Sequence, residues 1–519
     1  MKIGMAAELR QMDAQAEEKY GLPALLLMEN AGRRAAACLA ELLDGVQGKY
    51  LCVFAGSGNN GGDALAAARH LAGMGADVHI FLVGDQAHFS AATSVMYHAV
   101  EQMALPVHTL AEDRDWHRLH LALRLMAGGV DGLLGTGFRG ELRKQTLRLI
   151  EEINGAGKPV LAIDLPSGVE ADTGRVSTVA IEAAATLALA LPKPCHYLSP
   201  GADYTGRLLV DSIGLPPALL TAKKLHQTLL DDALAATLLP PRPRAAHKGT
   251  CGRILVVAGS CGMTGAAKLA AQAVLRAGAG LVTLAVPESQ QPVVAAQLTE
   301  VMTVPVPESQ AGCMGGQAAL DQLVQLAAGY DAVLIGPGLG RAYETGELVR
   351  GLVAQVEQPV IIDADGLYAF TGQADALQAC QQLPILTPHL GELARLLGTT
   401  VTELRTDLVA QVRAAAARLQ CVLVAKSECT LVAYPDGDVF FTSKGNAGMA
   451  TAGCGDVLAG TIAGLMEQTE EGVAPLLGVW LHGTAGDLAY AARGEGLVAG
   501  DILTQLPQAL QQLRQLQLK

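Results

Sequence analysis

The alternation of two residue patterns most restricts how this chain can fold. From about residue 50 to 215, short β-branched runs (KYLCVFAG, ADVHIFLVG, VDGLLG, KPVLAIDLP) each close on Gly, Asp or Pro. Between them lie Ala- and Leu-rich stretches such as DALAAARHLAG, with apolar residues three and four apart. A run apolar on both faces must be covered on both, as strands of a buried parallel sheet are. Strand, helix and strand in that order close right-handed, so the pattern predicts a doubly wound α/β sheet. A helical lead-in, clearest in LLMENAGRRAAACLAELL, precedes the first strand.

The rhythm breaks between residues 214 and 253, where Pro216, Pro217, Pro240, Pro241 and Pro243 accumulate. It resumes with GRILVVAGS, AGLVTLAVP, YDAVLIGPG, QPVIIDADG and QCVLVAKS. Two α/β domains of unequal size are expected, 1–220 and 225–510. The length of 519 residues agrees, being too great for one core. Glycine contributes 59 of those residues. Without a repeat period, that excess points to turns where backbone approaches something closely.

Charge narrows the function classes. With 37 basic and 50 acidic residues the chain carries −13, which argues against binding nucleic acid or an anionic membrane surface. Yet Ala233 to Pro287 holds no Asp or Glu, while it holds Arg242, Arg244, Lys248, Arg253, Lys268 and Arg276. That local excess fits either a polyanionic small molecule such as a nucleotide or a basic linker with solvated helix residues. The start, MKIGMAAELRQMDAQAEEKY, lacks the apolar core of a signal peptide, and runs such as AAATLALALP fall short of a membrane span. The ten cysteines form no Cys-x-x-Cys and lie singly in apolar segments, as they would in a reducing cytosol. A cytoplasmic protein without a structural metal is expected.

The first strand runs into GSGNNGGDALAAARHL from Gly56. Gly56, Gly58 and Gly61 satisfy G-x-G-x-x-G before a helix, a turn that can close amides on a phosphate. Two Asn, two Gly and an Asp in one tight loop put many oxygens together, which suits a hard cation or polar ligand better. Plain Asn/Gly turn chemistry with Asp63 at a helix start is the alternative. Two more strand ends carry polar groups at the edge where open α/β sheets bind ligands. These are Asp131 in VDGLLGTGFRGE and Asp164 in AIDLPSGVEADTG, with Ser167 three residues on.

Together LLMENAG, GNNGGD, DGLLGTG and AIDLPSG resemble the NAD(P)H-hydrate epimerases over about residues 1–220. The resemblance implies a Rossmann-like domain interconverting the R and S hydrates of NADH or NADPH. It implies a potassium ion held by Asn60, Asp131 and Ser167. It further implies hydrate contacts from the loop Asn59, Asn60, Gly61, Gly62 and Asp63, and from the turn Gly135, Thr136, Gly137, Phe138, Arg139, Gly140 and Glu141. Asp164 would also touch the hydrate and serve as the proton-transferring carboxylate. Ala64 stands where the family commonly has glycine.

In the second half the most telling segment is GNAGMATAGCGDVLAGTIAGL from Gly445. A Gly-x-Gly turn at a helix start presents amides to an anion, and Asp456 at its mouth could take a hydroxyl proton as phosphate arrives. Gly460 and Gly464, four apart, suit close helix packing. IGPGLG offers Gly336, Gly338 and Gly340 for backbone approach. IIDADGL places Asp363 and Asp365 on one strand end, for magnesium or as helix caps. TPHLGE carries His389, a ligand contact or a turn residue. VAKSECTLV sets Lys426 and Thr430 around a short turn, a phosphate clasp or a plain hairpin.

With HKGTCGR and TGAAKLAAQAVLRAGAGLVTL, these segments resemble the ADP/ATP-dependent NAD(P)H-hydrate dehydratases, of ribokinase-like fold, over roughly residues 225–510. The resemblance implies that the hydrate's hydroxyl is phosphoried by ADP or ATP, with magnesium, and that phosphate is then eliminated. Ala266, Gly338, His389 and Asp456 would contact the hydrate, Asp456 as the base. Lys426, Ser427, Glu428, Cys429, Thr430 and Gly455 would bind the nucleotide. The family's Lys-Gly-x-x-Thr loop reads Lys426-Ser427-Glu428-Cys429-Thr430 here, which predicts that Glu428 repels the phosphates. Tyr368 replaces an asparagine common after Asp-Ala-Asp. The expected protein is a bifunctional repair enzyme acting on NADHX and NADPHX, and a homo-oligomer. A ribokinase-like small-molecule kinase with a regulatory Rossmann-like domain is the alternative.

Overall fold

The computed structural model describes residues 1–110, 113–310 and 312–518, with the side chain of residue 113 left out. The chain divides into two compact units, one of residues 2–225 and one of Met1 with residues 226–519. The last helix, Ala499–Leu516, carries the second unit past residue 510.

In the first unit seven strands pair in parallel. Their order is Val107–Thr109, Asp77–Leu82, Tyr50–Ala55, Gly128–Gly132, Val160–Ile163, Ala185–Leu189 and Arg207–Asp211. The chain therefore builds outward in one direction from Tyr50–Ala55, then returns to its other side with Gly128–Gly132. At that reversal the two following segments diverge and leave a crevice at the carboxyl ends of the strands. Close packing there requires glycine. A Cβ on Gly56 would lie 2.0 Å from Leu133 O, and one on Gly61 1.8 Å from Gly56 O. The segment expected to be a loop at Asn59–Asp63 is instead the opening of helix Asn59–Gly73, with Gly58 as its cap. Asp63 lies beyond the first turn of that helix and is not its N-terminal charge.

The second unit's sheet begins Gln227–Leu229, Val439–Phe441, Leu431–Ala433, Val422–Ala425, and continues Ile385–Leu386, Val360–Ile362, Ala332–Ile335, Arg253–Val257, Leu281–Pro287 and Met302–Val306. From Val422–Ala425 onward neighbours are parallel, while the steps from Val422–Ala425 through Leu431–Ala433 to Val439–Phe441 are antiparallel. Against it lies the almost wholly buried helix Cys454–Leu465. Its Gly460 and Gly464 admit helix Thr264–Arg276, since a Cβ on either would come 2.2 or 2.3 Å from Ala270 O or Val274 O.

Candidate active sites

The crevice of the first unit is a cavity of about 800 Å³, within the usual range for small-molecule sites. Its wall includes Asn59, Asn60, Asp63, Gly135, Thr136, Gly137, Phe138, Arg139, Glu141 and Asp164. Gly61, Gly62 and Gly140 are absent from that wall. Gly62 instead packs where a Cβ would meet Met28 Cε at 2.5 Å, and Gly140 N donates to Glu170 Oε1 at 2.9 Å. Arg139 is paired to Asp172 at 2.5 Å, and Ser177 Oγ donates to Glu141 Oε2 at 3.1 Å, so the loop is tied down from outside.

Beneath the cavity floor the strand pairing sets Asp131 beside Ala162, close to Ser167. Ser167 Oγ donates to Asp131 Oδ1 at 2.6 Å and Ser167 N to Oδ2 at 2.8 Å. Leu133 N adds a third bond at 3.1 Å. These partners are all neutral, so burial prevails over their hydrogen bonds and pushes the Asp131 carboxyl up to about 6. Asn60 Nδ2 donates to Leu134 O at 2.7 Å and Ile163 O at 3.1 Å, while its buried Oδ1 has no hydrogen-bond partner among the described residues.

Asp164 stands at φ 69°, a left-handed conformation tolerated by Asp more than by most residues. Its backbone is pinned by Asp164 N to Leu187 O at 2.8 Å and by His196 Nε2 to Asp164 O at 2.9 Å. His196 Nδ1 accepts from Lys193 N at 3.0 Å, so the ring proton sits on Nε2. Burial and the Lys193 charge hold this imidazole down at about 3, hence neutral. Lys193 itself is 1% exposed; its ammonium bonds Asp164 Oδ1 and also Leu189 O at 2.9 Å. Pairing with the carboxylate offsets the cost of burying the ammonium. Sequence reasoning missed Lys193 and also Asp13, which lines the same cavity. The signal available was the Pro-Lys-Pro that places Lys193 at a strand end, between fixed backbone angles.

The second unit gathers another carboxylate–lysine group. Lys426 Nζ lies 2.8 Å from Asp363 Oδ1, and Thr387 Oγ1 donates to the same oxygen at 2.7 Å. A Cβ on Gly455 would sit 3.2 Å from Lys426 Nζ and 4.0 Å from Asp363 Oδ2, which places the Gly-Cys-Gly-Asp turn against the pair. Burial, then the Asp363 charge, push Asp456 up to about 7 against the pull of Lys426; Asp365 and Glu392 add smaller pushes. Asp363 and Asp365 do not present a shared carboxylate face. Asp365 turns to Arg341 Nε at 3.0 Å and Gly340 N at 3.0 Å, because Ala364 between them adopts φ 49°. Ala266 and Gly338 meet, with 3.0 Å from the Ala266 Cβ to a Cβ built on Gly338.

His389 caps helix Leu390–Leu397. Its Nδ1 accepts from Gly391 N and Glu392 N, and its backbone pairs beside Lys426. Within the Lys426–Thr430 hairpin, Ser427 Oγ donates to Cys429 O at 2.6 Å and Thr430 Oγ1 to Ser427 O at 3.5 Å. Cys429 is turned inward, its thiol 3.2 Å from Thr442 O and pushed by burial up to about 12. Glu428 is not an unpaired negative charge. Arg405 holds it with two bonds of 2.7 and 2.9 Å and draws its carboxyl below the usual range. Of the basic stretch, Arg253 pairs with Asp331 at 3.3 Å, and Lys268 donates to Gln297 Oε1 at 3.4 Å. Among the described residues, no three His, Cys, Asp or Glu are grouped so that they could hold a metal ion between them, and no helix is long and apolar enough to cross a membrane.

Residues 254–508 match the family model described as NAD(P)H-hydrate dehydratase, and residues 24–195 match that of a YjeF-related protein N-terminus. The bifunctional NAD(P)H-hydrate repair enzyme Nnr of Moorella thermoacetica is 42% identical over 518 residues, covering 99% of this chain and 98% of that one. This chain belongs to the bifunctional NAD(P)H-hydrate repair enzyme family. Its relative in Thermofilum pendens is 39% identical over 519 residues, at 99% and 97% coverage. Among solved structures, the ADP/ATP-dependent NAD(P)H-hydrate dehydratase from Bacillus subtilis, co-crystallized with ATP/Mg2+, aligns with a TM-score of 0.47. It is 29% identical and covers 55% of this chain and 98% of that one. Within the repair-enzyme family, the first unit carries the Rossmann-like fold and the second the ribokinase-like fold.

Proposed function

We propose that this chain epimerises the R and S hydrates of NADH and NADPH in its first unit and dehydrates the S hydrate in its second, at the expense of ADP or ATP. The observation that carries the reading is that each unit of this family member holds its own strand-end carboxylate set against a lysine, buried Lys193 in the first and half-buried Lys426 in the second.

In the first unit Asp164 is the carboxylate that handles the proton, paired with Lys193 and aimed by His196. The residues beneath it fit a monovalent cation. The buried Asn60 Oδ1 lacks a partner among the described residues, and the Asp131 carboxylate is buried with neutral partners only. Asn60, Asp131 and Ser167 would hold potassium, which would supply a fixed positive charge under the helix start. In the second unit Asp456 takes the proton of the hydrate's hydroxyl as that oxygen bonds to the transferred phosphorus. Amides at the start of helix Cys454–Leu465 steady the negative charge on the phosphoryl group. Phosphate then departs with the electrons of its bond to the ring carbon, and the neighbouring carbon loses a proton, which restores the dihydronicotinamide. Asp363 and Asp365 do not fit as a direct magnesium pair, being engaged by Lys426 and Arg341, so magnesium belongs with the nucleotide phosphates.

Mixed R and S hydrates, incubated with ADP or ATP, test the reading by the absorbance of reduced nicotinamide. Full recovery of both forms is expected. Recovery of only the S form would remove the epimerase assignment, and a phosphorylated product without reduced nicotinamide would replace the dehydratase with a kinase.

A further inference from the structure

Removing a hydroxyl from one face of the hydrate's carbon and returning it to the other takes two proton transfers. The departing hydroxyl must accept a proton so that it leaves as water with the bonding pair, and the ring nitrogen shares the positive charge left behind. Water adding to the other face must then lose a proton. A site with one ionised carboxylate and one protonated carboxyl serves both steps, and two carboxyls in one cavity are driven into those different states by their mutual repulsion.

Helix Ala6–Tyr20 supplies the second carboxyl. Leu9, Met12 and Ala16 bury one side of it against Leu27, Ala31, Leu191 and Ile213. A neighbouring face, Leu9, Arg10, Asp13, Ala14 and Glu17, lines the cavity at helical spacing, with Asp13 at its centre. Asp63, Asp164 and Lys193 line the same cavity as Asp13; from its own helix it is flanked by Arg10 and Glu17. The loop contributes Arg139, Glu141 and Arg143 to the same wall. Asp13 lies outside the stretch 24–195 matched by the N-terminal family model.

We propose that Asp13 is the second proton-handling residue of the epimerisation site, giving a proton to the departing hydroxyl while the Lys193-held Asp164 carboxylate takes one from the returning water. This rests on the epimerase reading of the first unit. After one passage the proton has moved from Asp13 to Asp164; the reverse passage or exchange with solvent restores it. Asp13 is open to solvent within the cavity, yet the protein around it, with the Asp164 charge adding and Lys193 opposing, raises its carboxyl to about 6. Its protonated share therefore falls as pH rises past 6, and with it the wild-type kcat/KM.

The test measures epimerisation in wild type, Asp13→Asn, Asp13→Glu and Asp164→Asn across pH, with S-hydrate dehydration by each preparation as the folding control. Asp13→Asn should lose about 100-fold in kcat with KM little changed. It should lose the decline above pH 6, and Asp13→Glu should recover most of the rate. An Asp13→Asn rate within about threefold of wild type, a loss confined to KM, or a loss with the pH decline intact overturns the proposal. If Asp164→Asn is inactive and Asp13→Asn is not, only the role of Asp13 falls. A wild-type chain that leaves R hydrate unconverted removes the epimerase reading itself, and this proposal with it.

Discussion

The ionisation of Asp456 is a test of the dehydratase site that steady-state kinetics can read directly. A carboxyl moved from 3.8 to about 7 has its charged form disfavoured by about 4 kcal/mol, at about 1.4 kcal/mol per pH unit. A base must be ionised to accept the hydroxyl proton. Dehydration should therefore climb about tenfold per unit below pH 7 and level off above it, the limb appearing in kcat/KM, which reports the unliganded enzyme. The perturbation is Asp363→Asn. It keeps the shape of the side chain and a carbonyl oxygen for Thr387 Oγ1, but removes the largest nearby negative charge. It also releases Lys426, which is paired with Asp363 at 2.8 Å, to act on Asp456. At an effective dielectric constant of about 20, loss of a nearby unit charge is worth on the order of 2 kcal/mol, or about 1.5 pH units. The midpoint of the limb should therefore fall from about 7 to about 5.5–6, whatever happens to the plateau. The assay is reduced-nicotinamide absorbance from S hydrate between pH 5.5 and 8.5, with nucleotide held well below its KM. A wild-type profile flat over that range, or an Asp363→Asn midpoint unmoved or raised, would show that Asp456 is not the ionising base.

Asp456→Asn should lose about 10²–10⁴-fold in dehydration while epimerisation, built on the other unit, continues at the wild-type rate; equal loss of both would sink the assignment. Transfer from potassium into a bulky organic cation should slow epimerisation about tenfold or more, reversibly, and Asp131→Ala should abolish that response. Glu428→Gly should change nucleotide affinity less than about fivefold by titration calorimetry, because exposed ion pairs are worth about 0–1 kcal/mol. A larger tightening would mean that the freed Arg405 guanidinium reaches the nucleotide phosphates.

The strands were legible because a parallel sheet covered on both faces demands unbroken apolar runs. Val422–Ala425 and Arg253–Val257 announce themselves by composition alone. Gly460 and Gly464 were legible for the same kind of reason: spacing by four on an apolar helix leaves close packing as the economical use of a missing side chain. What composition could not show was which strand ends meet. Asp363 and Lys426 are separated by 63 residues and Asp164 and Lys193 by 29, and only the strand order makes them neighbours. Asp13 is harder still. Amid Arg10, Glu17, Glu18 and Lys19 it looks like part of a solvated helix face, and it becomes a cavity residue only because the apolar side of its helix is anchored beside the sheet's switch point.

Glu428 shows the opposite error, a residue over-read from its place in the chain. Counted along the sequence, a carboxylate two positions from Lys426 in a loop expected to hold phosphates is a repulsive charge. Arg405 lies 23 residues earlier, on helix Val401–Thr406, and reaches Glu428 with both terminal nitrogens of its guanidinium. Such a fork fixes the carboxylate in direction as well as neutralising it. The pair adds no net charge to the loop; Ser427 stands at the glycine position, and Glu428 beside it ties the hairpin to the neighbouring helix. Removing the carboxylate leaves a guanidinium, not a neutral loop, and any gain in nucleotide affinity would then come from Arg405 rather than from relief of repulsion. Arg405→Gln separates the two causes: it leaves Glu428 unpaired and should weaken nucleotide binding, whereas the double variant should return to nearly the wild-type affinity. If Arg405→Gln binds nucleotide as well as wild type, Glu428 faces away from the phosphates and neither charge belongs to the nucleotide site.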